Sequence, residues 1–144
     1  PSELAVNGDF ESGTEPWFTN FGTGVPEIQT GGDNSFFFAN VETAGNAFNV
    51  NLSQVVTITQ GTTYTLKFDA STGEGNTRTI IAGIGLNVAP FSNATEEVEL
   101  TESTTTHTLT LTAGDFGGPD SRILFDMGAD VGVVVIDNVS LIAN

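Results

Sequence analysis

Cysteine is absent from this 144-residue sequence, which excludes disulfides, thiolate metal sites and a cysteine nucleophile. Cationic residues are nearly absent as well: Lys67, Arg78 and Arg122 stand against 18 Asp and Glu, for a formal net charge of −15. A surface so negative repels phosphate backbones and anionic headgroups, so nucleic acid and membrane are excluded as partners and anionic polymers are disfavoured. Neutral ligands remain. No run of about 18 apolar residues occurs, so no membrane-spanning helix is expected. A basic segment leading into an apolar stretch is also missing, so no signal peptide is expected here, and the start at Pro1-Ser2 reads as that of an excised module. One histidine, His107, has no second histidine with which to build a metal or triad arrangement, and it is expected as a surface strand residue. Strong acidity with few cations fits a secreted bacterial protein.

Helix-forming blocks are missing too, and what stands in their place alternates with a period of two. Tyr64, Leu66, Phe68 and Ala70 share one parity, with Thr65, Lys67 and Asp69 on the other. Leu109 and Leu111 alternate with Thr108, Thr110 and Thr112; Ile123, Phe125 and Met127 alternate with Arg122, Leu124 and Asp126. Between these runs lie turn clusters such as Gly31-Gly32-Asp33-Asn34, Gln60-Gly61 and Thr72-Gly73-Glu74-Gly75-Asn76. Short strands punctuated in this way predict an all-β, antiparallel β-sandwich, and with no linker or repeat the whole of 1–144 reads as one module.

Three features bear on function. From Arg78 to Val88, the apolar parity Ile80, Ala82, Ile84 and Leu86 suits a core, while the other parity reads Ile81, Gly83, Gly85 and Asn87. Glycines inside a strand mark close approach by a ligand or by another backbone, and the two outcomes are evenly balanced here. If a ligand approaches, Gly83 and Gly85 form its floor, with the Asn87 amide at the edge and Phe91 on the loop beyond. Arg122 and Asp126 share the outward parity of their strand, about 13 Å apart along it, and can donate to and accept from hydroxyl groups. Of 11 Phe residues most are core, but Phe21 and Phe91 sit beside Gly22 and Pro90 at loop edges and have the better claim to exposure. No enzyme constellation stands: Glu97 and Glu99 read as a solvated edge rather than an acid–base pair, and no phosphate-binding glycine loop precedes a helix.

The two ends of the chain carry carboxylates in apolar surroundings. Asp137 lies within the β-branched run Val135-Ile136-Asp137-Asn138-Val139, and Asp9 and Glu11 lie near the start, with no Lys or Arg beside either. Carboxylates brought together without a cation of their own imply a metal ion between them.

The opening Asn7-Gly8-Asp9-Phe10-Glu11-Ser12-Gly13 with Trp17, the middle Gly61-Thr62-Thr63-Tyr64-Thr65-Leu66-Lys67-Phe68-Asp69-Ala70 and the closing Ile136-Asp137-Asn138-Val139-Ser140-Leu141 together resemble family 4 carbohydrate-binding modules. The wider group includes families 9 and 22. The resemblance runs the length of the chain, and Gly85-Leu86-Asn87-Val88-Ala89-Pro90-Phe91 looks more specifically like the glucan binders. It implies a jelly-roll sandwich with a concave face that holds one polysaccharide chain and catalyses nothing. Under it, Asn87 would hydrogen-bond sugar hydroxyls and Phe91 would stack on a ring. Phe21, with Asn20 as competitor, would supply the aromatic contact that follows the Trp. Gln54 matches a groove amide, Arg122 and Asp126 fall where groove polar groups occur, and Phe48 matches an aromatic of xylan-binding relatives. Phe48 and Gln54 share the parity of the core residues Val50 and Leu52, which conflicts with a groove position.

The resemblance also implies a structural calcium ion away from the groove, held by Asp9, Glu11, Asp33, Ser35 and Asp137, hard oxygen donors suited to Ca²⁺. The expectation is therefore a monomeric β-glucan-binding module, covalently linked to a secreted bacterial glycoside hydrolase. Xylan binding, or a structural or adhesion domain of a bacterial surface protein, are the alternatives.

Overall fold

Strands form where β-branched and aromatic residues alternate with threonine and small residues, and each run stops at a turn rich in Gly, Asp or Asn. The computed structural model describes residues 3–12, 15–21, 24–31 and 34–144, with residues 20, 21, 24–31 and 34 described by backbone alone. The strands are β1 (Phe18–Phe21), β2 (Gly24–Gly31), β3 (Asn34–Val41), β4 (Val50–Ile58), β5 (Thr63–Ser71), β6 (Arg78–Leu86), β7 (Asn93–Leu100), β8 (Thr105–Thr112), β9 (Gly118–Asp126) and β10 (Gly132–Ala143). A 3-10 turn, Ala47–Asn49, precedes β4.

The described residues make two five-stranded antiparallel sheets, ordered β1-β4-β9-β6-β7 and β2-β3-β10-β5-β8. The apolar parities read from the sequence face inward between them. Ile80, Ala82 and Ile84 meet Tyr64, Leu66, Phe68 and Ala70, with Ile123, Phe125 and Met127 beside them, all at most 2 % exposed. Aromatic rings knit the layers together: Phe68 meets Phe125 edge-on at 5.0 Å, and Phe10 packs 5.4 Å from Trp17. The Trp17 indole N–H donates to the Asn7 carbonyl at 2.8 Å, so its one polar group is satisfied inside the core.

Arg78 fastens the connection between β9 and β10. It is 3 % exposed, and its guanidinium donates to the carbonyls of Met127, Gly132 and Thr79. Asp130 in the same connection accepts from the Thr79 and Val131 N–H groups and balances part of the charge.

His107 departs from the expected surface position. Its register partner is Phe68, whose ring lies on the core face, so the imidazole stacks on that ring at 5.4 Å and is half-buried. Its Nε2 is buried and finds no hydrogen-bond partner among the described residues. Burial pushes its pKa below the usual 6.5, with the nearby Asp69 carboxylate opposing. The folded state thus binds this proton less readily than the unfolded chain. The resulting stability is complete above about pH 6.5 and is lost as pH falls from there through the folded value. His107→Gln is therefore expected to flatten the fall in melting temperature between about pH 7 and pH 5, measured by calorimetry. Asp69 acts lower on the scale: hydrogen bonds from Thr106 and Asn138 hold its pKa below 3.8, so its contribution is present above that value and is lost below it.

The two ends of the chain do meet. Glu3 bridges Ile142, the Leu4 N–H donates to Leu141 O at 2.8 Å, and the Val139 N–H donates to Gly8 O at 2.9 Å. A side chain at Gly8 would collide with the Val139 carbonyl, which is why the opening motif needs glycine there. Asp137 is 8 % exposed, lies where β10 shifts register against β5, and accepts the Asn138 N–H at 2.9 Å.

Candidate functional site

Register places three rows of side chains across the outer face of the β1-β4-β9-β6-β7 sheet. The first row is Asn51, Asp126 and Ile81; the second is Phe18, Ser53, Leu124 and Gly83; the third is Val55, Arg122 and Gly85. β7 extends them with Glu97, Thr95 and Asn93. The middle row spans five strands and, at about 4.8 Å a spacing, is roughly 19 Å long. A cleft of about 590 Å³ lies over this face, lined by Phe18, Phe48, Asn51, Ile81, Phe91, Asn93, Thr95, Arg122, Leu124 and Asp126.

The cleft has a polar strip and apolar surfaces. Arg122 Nη1 donates to Ser53 Oγ at 3.3 Å, Ser53 Oγ donates to Asn51 Oδ1, and Asn51 Nδ2 donates to Asp126 Oδ1. This chain links two neighbouring strands and, through the buried Ser53 hydroxyl, orients the Arg122, Asn51 and Asp126 groups that line the cleft. Burial pushes the Asp126 carboxyl above its usual range, opposed by the Asn51 hydrogen bond and by the charge of Arg122. Ile81 and the buried Leu124 give an apolar floor beside the strip. Phe18, Phe48 and Phe91 are 40 %, 58 % and 51 % exposed, so three large rings stand open to solvent at the cleft. The Phe91 ring lies over the Arg122 guanidinium, 5.9 Å from centroid to carbon.

Of the expected site residues, Phe48, Phe91, Arg122 and Asp126 line this cleft. The parity conflict of Phe48 disappears because it sits on the 3-10 turn, not in β4. Gln54 is corrected: it follows core parity, is 1 % exposed, and clamps the backbone of Val6 by accepting its N–H at 2.7 Å and donating to its carbonyl at 2.8 Å. Asn87 stands apart from the cleft lining. It lies past the end of β6, and its backbone N–H donates to Asp120 O. The backbones of Asn20 and Phe21 pair with Asn51 and Val50, and their side chains lie outside the described residues.

Gly83 and Gly85 do share the cleft face, but the close approach there is by protein. A Cβ at Gly83 would strike the Ala94 carbonyl and come within 2.7 Å of Thr95 Cα, and one at Gly85 would lie 2.7 Å from Asn93 Cβ. The glycines admit β7, whose Thr95 and Asn93 then line the cleft. Phe18 and Asn51 were missed, although a signal existed: Phe18 follows the core residue Trp17, and Asn51 stands between Val50 and Leu52, so both had to point outward.

Open rings flanking the Arg122, Asn51 and Asp126 groups, with no nucleophile or acid–base pair among the described residues of the cleft, suit a saccharide polymer. The chain belongs to the carbohydrate binding domain family of module families 4 and 9, which its sequence matches over residues 2–129. It is a non-catalytic polysaccharide-binding module. Among solved structures it resembles one described as "CBM4 structure and function", at 22 % identity and TM-score 0.77, covering 96 % of this chain and 99 % of that one. It also resembles the N-terminal cellulose-binding domain of Cellulomonas fimi β-1,4-glucanase C, at 26 % identity and TM-score 0.72, covering 100 % and 98 %. The CBM22-1 xylan-binding domain of Paenibacillus barcinonensis Xyn10C shares the fold at 9 % identity and TM-score 0.64, covering 90 % and 86 %. No curated protein matches the sequence.

Proposed function

We propose that the module binds single chains of neutral β-glucan, β-1,3- or mixed-linked and including amorphous cellulose, along the cleft. The observation that carries this reading is the polar set Arg122, Asn51 and Asp126, joined beneath the cleft surface by the buried Ser53 hydroxyl and lying beside exposed rings, a match for a polymer with hydroxyl edges and apolar ring faces. The net charge of −15 favours a neutral chain over an acidic one. A relative of the same fold from a β-1,4-glucanase agrees with a role as an appended module, raising the local concentration of a secreted bacterial hydrolase on its substrate. In this reading residues 1–144 act as one monomeric unit. Xylan is the second reading, favoured by the open Phe48 ring. Affinity electrophoresis in laminarin, barley β-glucan, hydroxyethylcellulose and xylan separates them. Retardation in the first three supports β-glucan, retardation in xylan alone supports the second reading, and none in any gel overturns both.

A structural calcium ion belongs to the same proposal. The fit is partial: the Glu11 carboxylate reaches the Ser35 backbone N–H at 2.6 Å, and buried Asp137 lies on the strand that pairs with Gly8. Among the described residues no three acidic or histidine side chains form a metal cluster, and Asp33 lies outside them. Asp9, Glu11, Ser35 and Asp137 would hold the ion, which would tie the chain ends and supply no recognition. Chelation with EDTA is expected to lower the melting temperature while glucan retardation in the cold is unchanged; an unaltered melt argues against the ion.

A further inference from the structure

We propose that Asn93 is the positioning residue for the Phe91 ring, seated for that task by the glycines of β6. The inference rests on the reading of Phe91 as a sugar platform. Phe91 has a left-handed backbone, φ +58°, which a bulky residue adopts only when its surroundings hold it there. Three contacts do so. The Phe91 N–H donates to Val88 O at 2.9 Å, and the Leu86 N–H donates to Ser92 O at 2.8 Å, closing the loop at its base. The third is a side chain: Asn93 Nδ2 donates to the Phe91 carbonyl at 3.0 Å.

The Asn93 amide is itself oriented, because Thr95 Oγ1 donates to Asn93 Oδ1 at 3.3 Å. Oxygen toward Thr95 and nitrogen toward Phe91 is the arrangement that satisfies both partners. The chain Thr95–Asn93–Phe91 runs along the β7 side of the cleft, directly over Gly83 and Gly85, whose register partners are Thr95 and Asn93. Any side chain at Gly85 would displace Asn93 Cβ, and any at Gly83 would displace Thr95. The glycines thus act on sugar binding at one remove, by setting the height of the residue that fixes the ring. From the other side the Arg122 guanidinium faces the ring at 5.9 Å. Phe91 is held by its backbone from Asn93 and by its face from Arg122, so it meets a ligand already ordered.

Asn93→Asp keeps the shape and the acceptor for Thr95 but removes the donor to Phe91. Two measurements test it. In the ligand-free protein, amide hydrogen exchange at Phe91 and Ser92 is expected to quicken about tenfold while β4 and β9 are unchanged; unchanged exchange at Phe91 overturns the proposal. In titrations with barley β-glucan, Asn93→Asp is expected to weaken binding about fivefold in the natural background and not at all in a Phe91→Ala background. The same fivefold loss in both backgrounds means that Asn93 touches the glycan itself, and overturns the positioning role. No loss from Asn93→Asp while Phe91→Ala weakens binding overturns it too, but leaves the platform reading intact. Loss of no affinity from Phe91→Ala overturns the platform reading, and the exchange measurement then decides the loop contact alone.

Discussion

Arg78→Ala is expected to lower the melting temperature by roughly 10 °C, from a loss of about 3 kcal/mol, with glucan affinity in the cold unchanged. The size follows from what the guanidinium does. It is buried, and it satisfies the carbonyls of Met127 and Gly132, which sit at the two ends of the connection between β9 and β10. Alanine leaves those carbonyls without their donor, opens a cavity where the side chain lay, and strips Asp130 of its nearby positive charge. Lysine does not restore the set, because one ammonium on a flexible stem cannot reach carbonyls on separate segments in fixed directions. Differential scanning calorimetry on both variants measures the effect. A melting temperature within a degree or two of the natural protein would show that the connection is held by other contacts.

Phe91→Ala is expected to weaken β-glucan binding about thirtyfold, or about 2 kcal/mol, with little change in melting temperature. Phe91 is 51 % exposed, so its removal takes few contacts from the core. Alanine inherits the same left-handed backbone, and so adds no new strain of consequence. What is lost is a flat apolar surface for the axial hydrogens of a pyranose, together with the ring face that covers Arg122. Isothermal titration and a thermal melt on the same sample separate the outcomes: a collapsed melt would make Phe91 a core residue, and an unchanged affinity would move the sugar elsewhere in the cleft.

The sandwich was legible because period-two alternation reports directly on which parity a sheet buries. Tyr64, Leu66, Phe68 and Ala70 show it, and so do Ile123, Phe125 and Met127. The same rule, applied strictly, would have rejected Gln54 and picked out Phe18 and Asn51. Gln54 went astray because a buried amide and a groove amide look alike in a sequence; what distinguishes them is Val6, 48 residues away, whose backbone the amide completes. His107 shows another limit. Its parity was clear, but its burial depended on Phe68 lying opposite in the neighbouring strand, a pairing that no local pattern announces. For Gly83 and Gly85 the face was legible and the visitor was left open, since a glycine records that something comes close without recording what.

The β7 strand that these glycines admit is also the last strand of its sheet, and Glu96, Glu97 and Glu99 all stand exposed along it. An unpaired strand edge invites the same edge of another molecule, and a row of like charges discourages that union. Many copies can therefore crowd along one polymer, each gripping its own stretch of sugar, without fusing sheet to sheet into an aggregate. The exposed glutamates of β7 thus set a charge barrier between copies seated side by side on the same polymer.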